Sequence, residues 1–258
     1  MDFASIGGVL LAVAGILGGL MIEGGSIAQV TQPTAMMIVL GGTMGAVMLQ
    51  FPLNIFLAAL RQFVRIFFSS GRDNEAVVTQ LVGFADKARR SGIVSLDADL
   101  AAVHDPFLQQ ALMLAIDGTE PAAVRQIMQL ELNNKAEGEE RIPQVFESAG
   151  GFAPTVGIIG AVIGLIQVMQ RLDNIEEVGR GIAIAFVATI YGVGLANLVF
   201  LPAAGKLRIR QQEEQMVKEM TLEGVISIQE GMNPRMIEIK LRTFLFESKP
   251  SRLAREAA

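Results

Sequence analysis

The groups able to do chemistry inside the apolar stretches of this chain are all uncharged. Phe3–Ile22, Pro33–Leu60, Ser148–Gln170 and Gly181–Gly205 contain no Asp, Glu, Lys, Arg or His. The fourth stretch offers the polar side chains of Thr189, Tyr191 and Asn197, and Pro154 and Pro202 lie in the last two. A hydroxyl or amide can lend an oxygen to an ion, although such groups often bond back to their own helix. A proline removes a backbone donor and loosens the helix around it, so it acts either as a hinge or merely as the mark of a helix end. None of these groups captures a charge unaided. If the chain moves ions, a partner supplies the carboxylate.

Outside those stretches, Arg89 and Arg90 precede Asp97 and Asp99 across a Ser91-Gly92 turn. A mixed run of this kind is ordinarily a solvated face. His104 is the single histidine, beside Asp105-Pro106, and cysteine is absent. One histidine without thiols gives no metal-ligand spacing and no disulfide, and it reads as a helix-start residue. No P-loop, nucleophile elbow or dinucleotide turn is present, so no cofactor and no enzymatic reaction are expected. Net charge is −5 with both signs mixed, which leaves no basic field for nucleic acid.

These groups must be held by membrane helices. A span takes roughly 20 mostly apolar residues, and 51% of the chain is hydrophobic with a mean hydropathy of +0.45. We expect an all-α integral membrane protein with four transmembrane helices, near residues 3–22, 33–51, 148–170 and 181–203. A first hairpin would occupy 1–60, a helical cytoplasmic domain 61–147, a second hairpin 148–205, and cytoplasmic helices 206–258. Cytoplasmic flanks are enriched in Lys and Arg. Arg61, Arg65 and Arg72 follow the second stretch, Lys135 and Arg141 precede the third, and Lys206, Arg208 and Arg210 follow the fourth. The short connectors hold only Arg171 and Arg180. Both large polar blocks and the termini are therefore expected inside. The first stretch lacks a basic leader region and a small-residue cleavage pattern, and reads as a retained span.

Further helices follow from punctuation. Pro52 should end the second span, after which Leu53, Ile55, Phe56, Leu60, Phe63, Ile66 and Phe67 trace an amphipathic helix. Asn74–Arg90 reads as a helix ending at Ser91-Gly92, Pro106 starts one through Ile116, and Thr119-Glu120-Pro121 starts the next. Lys206–Glu230 reads as a long helix stopped by Gly231-Met232-Asn233-Pro234, and Arg235–Phe246 as the last one. No strand run is evident.

Four segments resemble one family, the ion-driven stator proteins of the flagellar motor (the MotA/PomA family). They are Gly118-Thr-Glu-Pro-Ala-Ala-Val-Arg125, Gly151-Phe-Ala-Pro-Thr-Val-Gly-Ile-Ile-Gly-Ala-Val-Ile-Gly-Leu165, Tyr191-Gly-Val-Gly-Leu-Ala-Asn-Leu-Val-Phe-Leu-Pro202 and Ile226-Ser-Ile-Gln-Glu-Gly-Met-Asn-Pro-Arg-Met-Ile-Glu-Ile-Lys-Leu241. They occur in family order over nearly the whole chain, and the last carries the family's Asn-Pro-Arg turn.

The resemblance implies roles. Pro154 and Pro202 match functional prolines near a partner's ion-binding carboxylate, and Thr189 matches a threonine bordering the ion path. Tyr191 lies in the same matched segment, and we place it with the ion-path and gating residues. Sodium-type relatives carry a threonine where this chain has Ala161, which favours protons over sodium as the transported ion. Arg89 and Asp97, with Arg90 beside them, match charged residues that engage the rotor, although Asp97 is shorter than the family's glutamate. Implied partners are a one-span, Asp-bearing, peptidoglycan-binding MotB-like protein and a FliG-like rotor switch protein. The implied assembly is a homo-pentamer around a partner dimer in the bacterial inner membrane. The related ExbB/TolQ energisers are the alternative, but they typically have three spans and lack the Asn-Pro-Arg turn. A self-contained transporter would place charged or polar binding groups at mid-membrane.

Overall fold

A computed structural model describes residues 2–68, 74–170 and 172–247. Arg72, Arg171 and the stretch from residue 248 onward, which entered the sequence reading, lie outside the described residues. The described residues are helical with no strand. In order they form α1 (Phe3–Ile22), α2 (Ile27–Val30), α3 (Pro33–Gln50), α4 (Leu53–Phe68), α5 (Asn74–Ser91), a 3-10 segment (Ile93–Ala102), α6 (Pro106–Ile116), α7 (Pro121–Met169), α8 (Ile175–Leu195), a π-helical turn (Ala196–Phe200), α9 (Leu201–Gln229) and α10 (Pro234–Glu247). Four helical stretches are long and apolar enough to cross a membrane: Ala4–Ile22, Ile27–Gln50, Pro121–Met169 and Ile175–Gln229. The protein is an all-α integral membrane protein.

Local chemistry sets most boundaries. Asp2 caps α1 through the Ser5 N–H, and Asp105 caps α6 through the Phe107 N–H with Pro106 in the first turn. Phe51 is extended (φ −117°, ψ 143°), as a residue before proline prefers, and this separates α3 from α4 at Pro52. Gly231, at φ +74°, gives the left-handed step that ends α9.

Two features add to the sequence expectation. The helices that carry the third and fourth spans start ahead of 148 and 181: α7 at Pro121 and α8 at Ile175, with Asn174 capping α8 through the Glu176 and Glu177 N–H groups. Pro154 lies deep within the continuous helix α7. An interior proline removes one rung of the helix ladder, yet α7 runs on through Pro154, with Ala153 before it and Gly157 after it buried. The residues after Gly92 form a 3-10 segment anchored by the fully buried Leu96.

The chain divides into two compact units. Within the described residues, the first draws on Met1–Ser70 and Glu139–Ile209, the second on Gly71–Gly138 and Arg210–Ala258. In the first unit, α4 buries Phe56, Ala59 and Ile66 against Ile142, Val145, Phe146, Phe200 and Leu207. Phe63 lies on Phe146 with ring centroids 5.5 Å apart. The N-terminus of α1 is fixed by Asp2, whose carboxylate pairs with Lys206 at 2.7 Å. The Lys206 hydrogen bond, followed by the Ser5 N–H, holds the Asp2 carboxyl well below the usual carboxylate range. Arg208 clamps Glu140 and Glu147 at 2.7 and 2.6 Å.

The second unit has its own core, in which Leu81, Leu96, Leu108, Leu112, Met128, Met220, Ile226, Ile237 and Leu241 are almost fully enclosed. Glu223 joins three of its helices by pairing with Arg125 on α7 at 2.8 Å and Lys240 on α10 at 3.1 Å. These partners, Arg125 foremost, lower the Glu223 carboxyl below its ordinary range. The side-chain amide of Gln229 donates to the Thr119 carbonyl, tying the end of α9 to the start of α7.

Candidate functional site

Glycines on α7 and α8 set the geometry of the intramembrane site. A Cβ on Gly192 would lie 2.5 Å from the Ala153 carbonyl oxygen and 3.0 Å from the Gly157 Cα. One on Gly164 would lie 2.9 Å from the Gly181 oxygen and the Ala185 nitrogen. The two helices therefore touch backbone to backbone in an antiparallel register that sets 153 against 192–196, 157 against 192 and 164 against 185. Gly157, Gly160 and Gly164 give α7 a narrow face, and α8 fills it.

That register decides which predicted site residues meet. Ala161 follows Gly157 by four residues, and Thr189 follows Ala185 by four. In an antiparallel pair, positions four beyond the facing stripes turn to the same side. Ala161 is also level with Ala188, adjacent to Thr189 in sequence. Pro154, seven residues before Ala161, stands on the same edge of α7 two turns away. All three are only partly enclosed. The opposite side of the hairpin is covered by α3: a Cβ on Gly160 would reach Ile38, and one on Gly42 would reach Val156. Pro154, Ala161 and Thr189 thus line one open edge, beside exposed Ile158, Leu165 and Ile190.

Tyr191 points elsewhere. Its hydroxyl donates to the Val30 carbonyl at 2.5 Å and accepts from the Gln32 N–H at 3.1 Å, stitching the start of α3 to α8. The Thr189 hydroxyl donates to the Ala185 carbonyl at 3.3 Å, and the Asn197 amide to the Val193 carbonyl at 2.9 Å. Both keep an oxygen able to accept. Thr155, not singled out in the sequence, is exposed next to Pro154 and donates to the Phe152 carbonyl.

Pro202 is exposed and lies two residues beyond the last residue of the π-helical turn. The Leu201 N–H reaches back five residues to the Ala196 carbonyl. Because Pro202 has no N–H to close the next rung, the ladder widens before it. The helix-loosening expected of Pro202 is thus present as one wide turn, whereas α7 passes through Pro154 unbroken.

In the second unit, Arg89 and Arg90 occupy the last turn of α5, and Asp97 the 3-10 segment; all three are exposed. Asp99 is not equivalent to Asp97, since it pairs with Lys87 at 2.6 Å and fastens the 3-10 segment to α5. Arg89 also lines an open groove with Asp86 of α5 and Asn233, Pro234, Arg235 and Glu238. Sequence reasoning could not join Arg89 to the Asn-Pro-Arg turn, because only the packing of α10 on α5 does so. Among the described residues no metal-binding cluster of His, Cys, Asp or Glu occurs.

An antiparallel hairpin of membrane helices with a charge-free open edge, and a separate helical unit bearing exposed charges, defines an all-α membrane protein whose spans hold no charge of their own. Comparison with known proteins is specific. Residues 99–220 match the MotA/TolQ/ExbB proton channel family, and residues 6–92 match the motility protein A N-terminal family. Motility protein A of Bacillus subtilis (strain 168) is 34% identical over 95% of this chain and 91% of its own length. The solved structure of C. jejuni MotAB superposes with a TM-score of 0.91 at 31% identity, covering 98% of this chain and all of that one. The flagellar MotAB stator complex from Bacillus subtilis gives 0.87 at 32% identity, with both chains fully covered. The chain belongs to the MotA family of motility proteins.

Proposed function

We propose that this chain surrounds the membrane helices of a MotB-like partner and that protons crossing the assembly neutralise and release that partner's Asp. As a MotA-family member the chain is a stator subunit of the flagellar motor, an ion-driven machine part and not an enzyme. The observation that carries the proton path is the common edge of Pro154, Ala161 and Thr189, which is open to a partner and offers one hydroxyl but no charge. A bare sodium ion needs several oxygen ligands, whereas a proton needs a carboxylate and water. Ala161 supplies no oxygen at the level of Thr189, which supports protons over sodium. Neutralising the partner carboxylate removes a costly intramembrane charge and changes its preferred contacts with the ring.

The remaining parts of the reading rest on the family. They are a homo-pentamer around a dimer of one-span, Asp-bearing, peptidoglycan-binding partners, and an inner-membrane location with cytoplasmic termini. Electrostatic contact of Arg89, Arg90 and Asp97 with a FliG-like rotor protein completes it, and no cofactor is involved. The test is Pro154→Leu in the native strain. Motility is expected to vanish while the purified complex keeps its native mass and partner content; normal swimming would remove Pro154 from the path. Wild-type swimming is expected to collapse with a protonophore and to continue without sodium.

A further inference from the structure

The helix α4 carries three faces, of which the fold uses one. Its core side holds Phe56, Ala59 and Ile66. A line of large apolar residues, Leu53, Leu57, Leu60, Val64 and Phe68, follows the helical repeat on another side and is between 42% and 65% exposed. Beside that line stand Arg61 and Arg65, one turn apart and both exposed. Arg61 has no ion pair among the described residues. Leu53–Phe68 contains no acid, and the Asp2 carboxylate near its far end pairs with Lys206. Both ends of α4 are fixed where spans meet water. Its start follows α3 after only Phe51 and Pro52, and its Phe67 carbonyl accepts from the Asp2 N–H at 3.2 Å, at the start of α1. The end of α3 and the start of α1 emerge on one side of the bilayer, because consecutive spans alternate in direction. The 16 residues of α4 cover about 24 Å, so the helix runs from the mouth of one span to the mouth of the other along the membrane surface.

We propose that α4 binds anionic phospholipid of the leaflet it lies in: its outer apolar line enters the acyl layer, and Arg61, with Arg65 one turn on, holds a lipid phosphate. Charge chooses the occupant, since α4 carries two cations and no acid. A guanidinium meets phosphate oxygens through two parallel hydrogen bonds. Side-chain size favours lipid over a further protein helix. Membrane helix contacts use small residues that let backbones approach, whereas the outer line of α4 is built from Leu, Val and Phe. A helix lying in the interface with Leu and Phe on one side and Arg at the border takes anionic lipid through both parts at once. Each arginine so placed is expected to raise the preference for anionic over neutral lipid about fivefold.

The test uses the complete stator complex, purified with its partner and placed in vesicles of mixed phosphatidylglycerol and phosphatidylcholine. The chain has no tryptophan, so Phe68→Trp adds a fluorophore to α4. Its quenching, above that of the parent complex, is read with one or the other lipid brominated in the upper acyl chain. Brominated phosphatidylglycerol is expected to quench more strongly than brominated phosphatidylcholine at equal mole fraction. In the same background Arg61→Gln is expected to lower that preference about fivefold with native mass and partner content unchanged, and Arg61→Lys to keep most of it. Equal quenching by the two lipids, or a preference untouched by Arg61→Gln, overturns the phosphate site. Quenching by neither would place protein against the outer line, and a changed native mass in Arg61→Gln would assign the arginine to a neighbouring copy; both overturn the proposal. Loss of the preference in inorganic phosphate, beyond the loss in chloride of equal ionic strength, would make this a site for free phosphate and overturn it too. Should Phe68→Trp fail to assemble, Leu57→Trp carries the same readout.

Discussion

Gly157 of α7 and Gly192 of α8 approach so closely that a Cβ on Gly192 would lie 3.0 Å from the Gly157 Cα. Backbone faces backbone, so neither side can yield by turning a rotamer. Gly192→Val is expected to pry the hairpin apart at a cost of about 1–3 kcal/mol and to displace Thr189 from the level of Ala161. Thermal unfolding of the detergent-purified complex measures the first effect. Gly194→Ala, at a position with open space around its Cβ, is the control and should leave the midpoint unchanged.

Tyr191 joins two hairpins through one oxygen. Tyr191→Phe leaves the Val30 carbonyl and the Gln32 N–H without that partner, at a cost of about 1–3 kcal/mol. Amide exchange at Gln32 is expected to accelerate while exchange at Val187 and Ala188 does not. Unchanged protection at Gln32 would mean that the phenol does not hold the α3 start in the membrane.

Thr43 is fully buried in α3, and among the described residues its hydroxyl finds no partner. Thr43→Val replaces that hydroxyl with a methyl of similar size. Removing an unsatisfied buried group should raise the unfolding midpoint, by about 1 kcal/mol in free energy. A lower midpoint would show that the hydroxyl is used in the assembled ring.

Glu223 makes the second unit acid-sensitive. Its folded-state carboxyl titrates below its ordinary value, chiefly because of Arg125, so the stability it contributes is present above the unfolded-state value. That stability is lost as pH falls through the lowered folded-state value. Glu223→Gln is expected to cost about 1 kcal/mol at neutral pH and to flatten the acid limb of the stability curve. An acid limb identical to that of the parent would exclude Glu223 as its source.

The charge-free composition of the four apolar stretches determined a four-span helical membrane protein, because apolar length alone decides whether a helix can cross a bilayer. Local signals fixed most helix ends for equally local reasons: Asp105 with Pro106, Phe51 before Pro52, and Gly231 with Asn233-Pro234. Such caps and breaks act within a few residues and are visible in the chain. The uninterrupted run of α7 through Pro154 was hidden, since a proline's local tendency is to break a helix. The likeness of Pro154, Ala161, Thr189, Arg89 and Asp97 to family positions named candidates without saying how they are arranged. Tertiary structure decided that Pro154, Ala161 and Thr189 share an edge while Tyr191 faces α3, because the Gly157–Gly192 contact sets the register between helices. It also decided that Asp99 belongs to Lys87, and that Arg89 and Arg235, far apart in the chain, line one groove. Side-chain direction follows from which helix faces are buried, and that depends on contacts between residues distant in sequence.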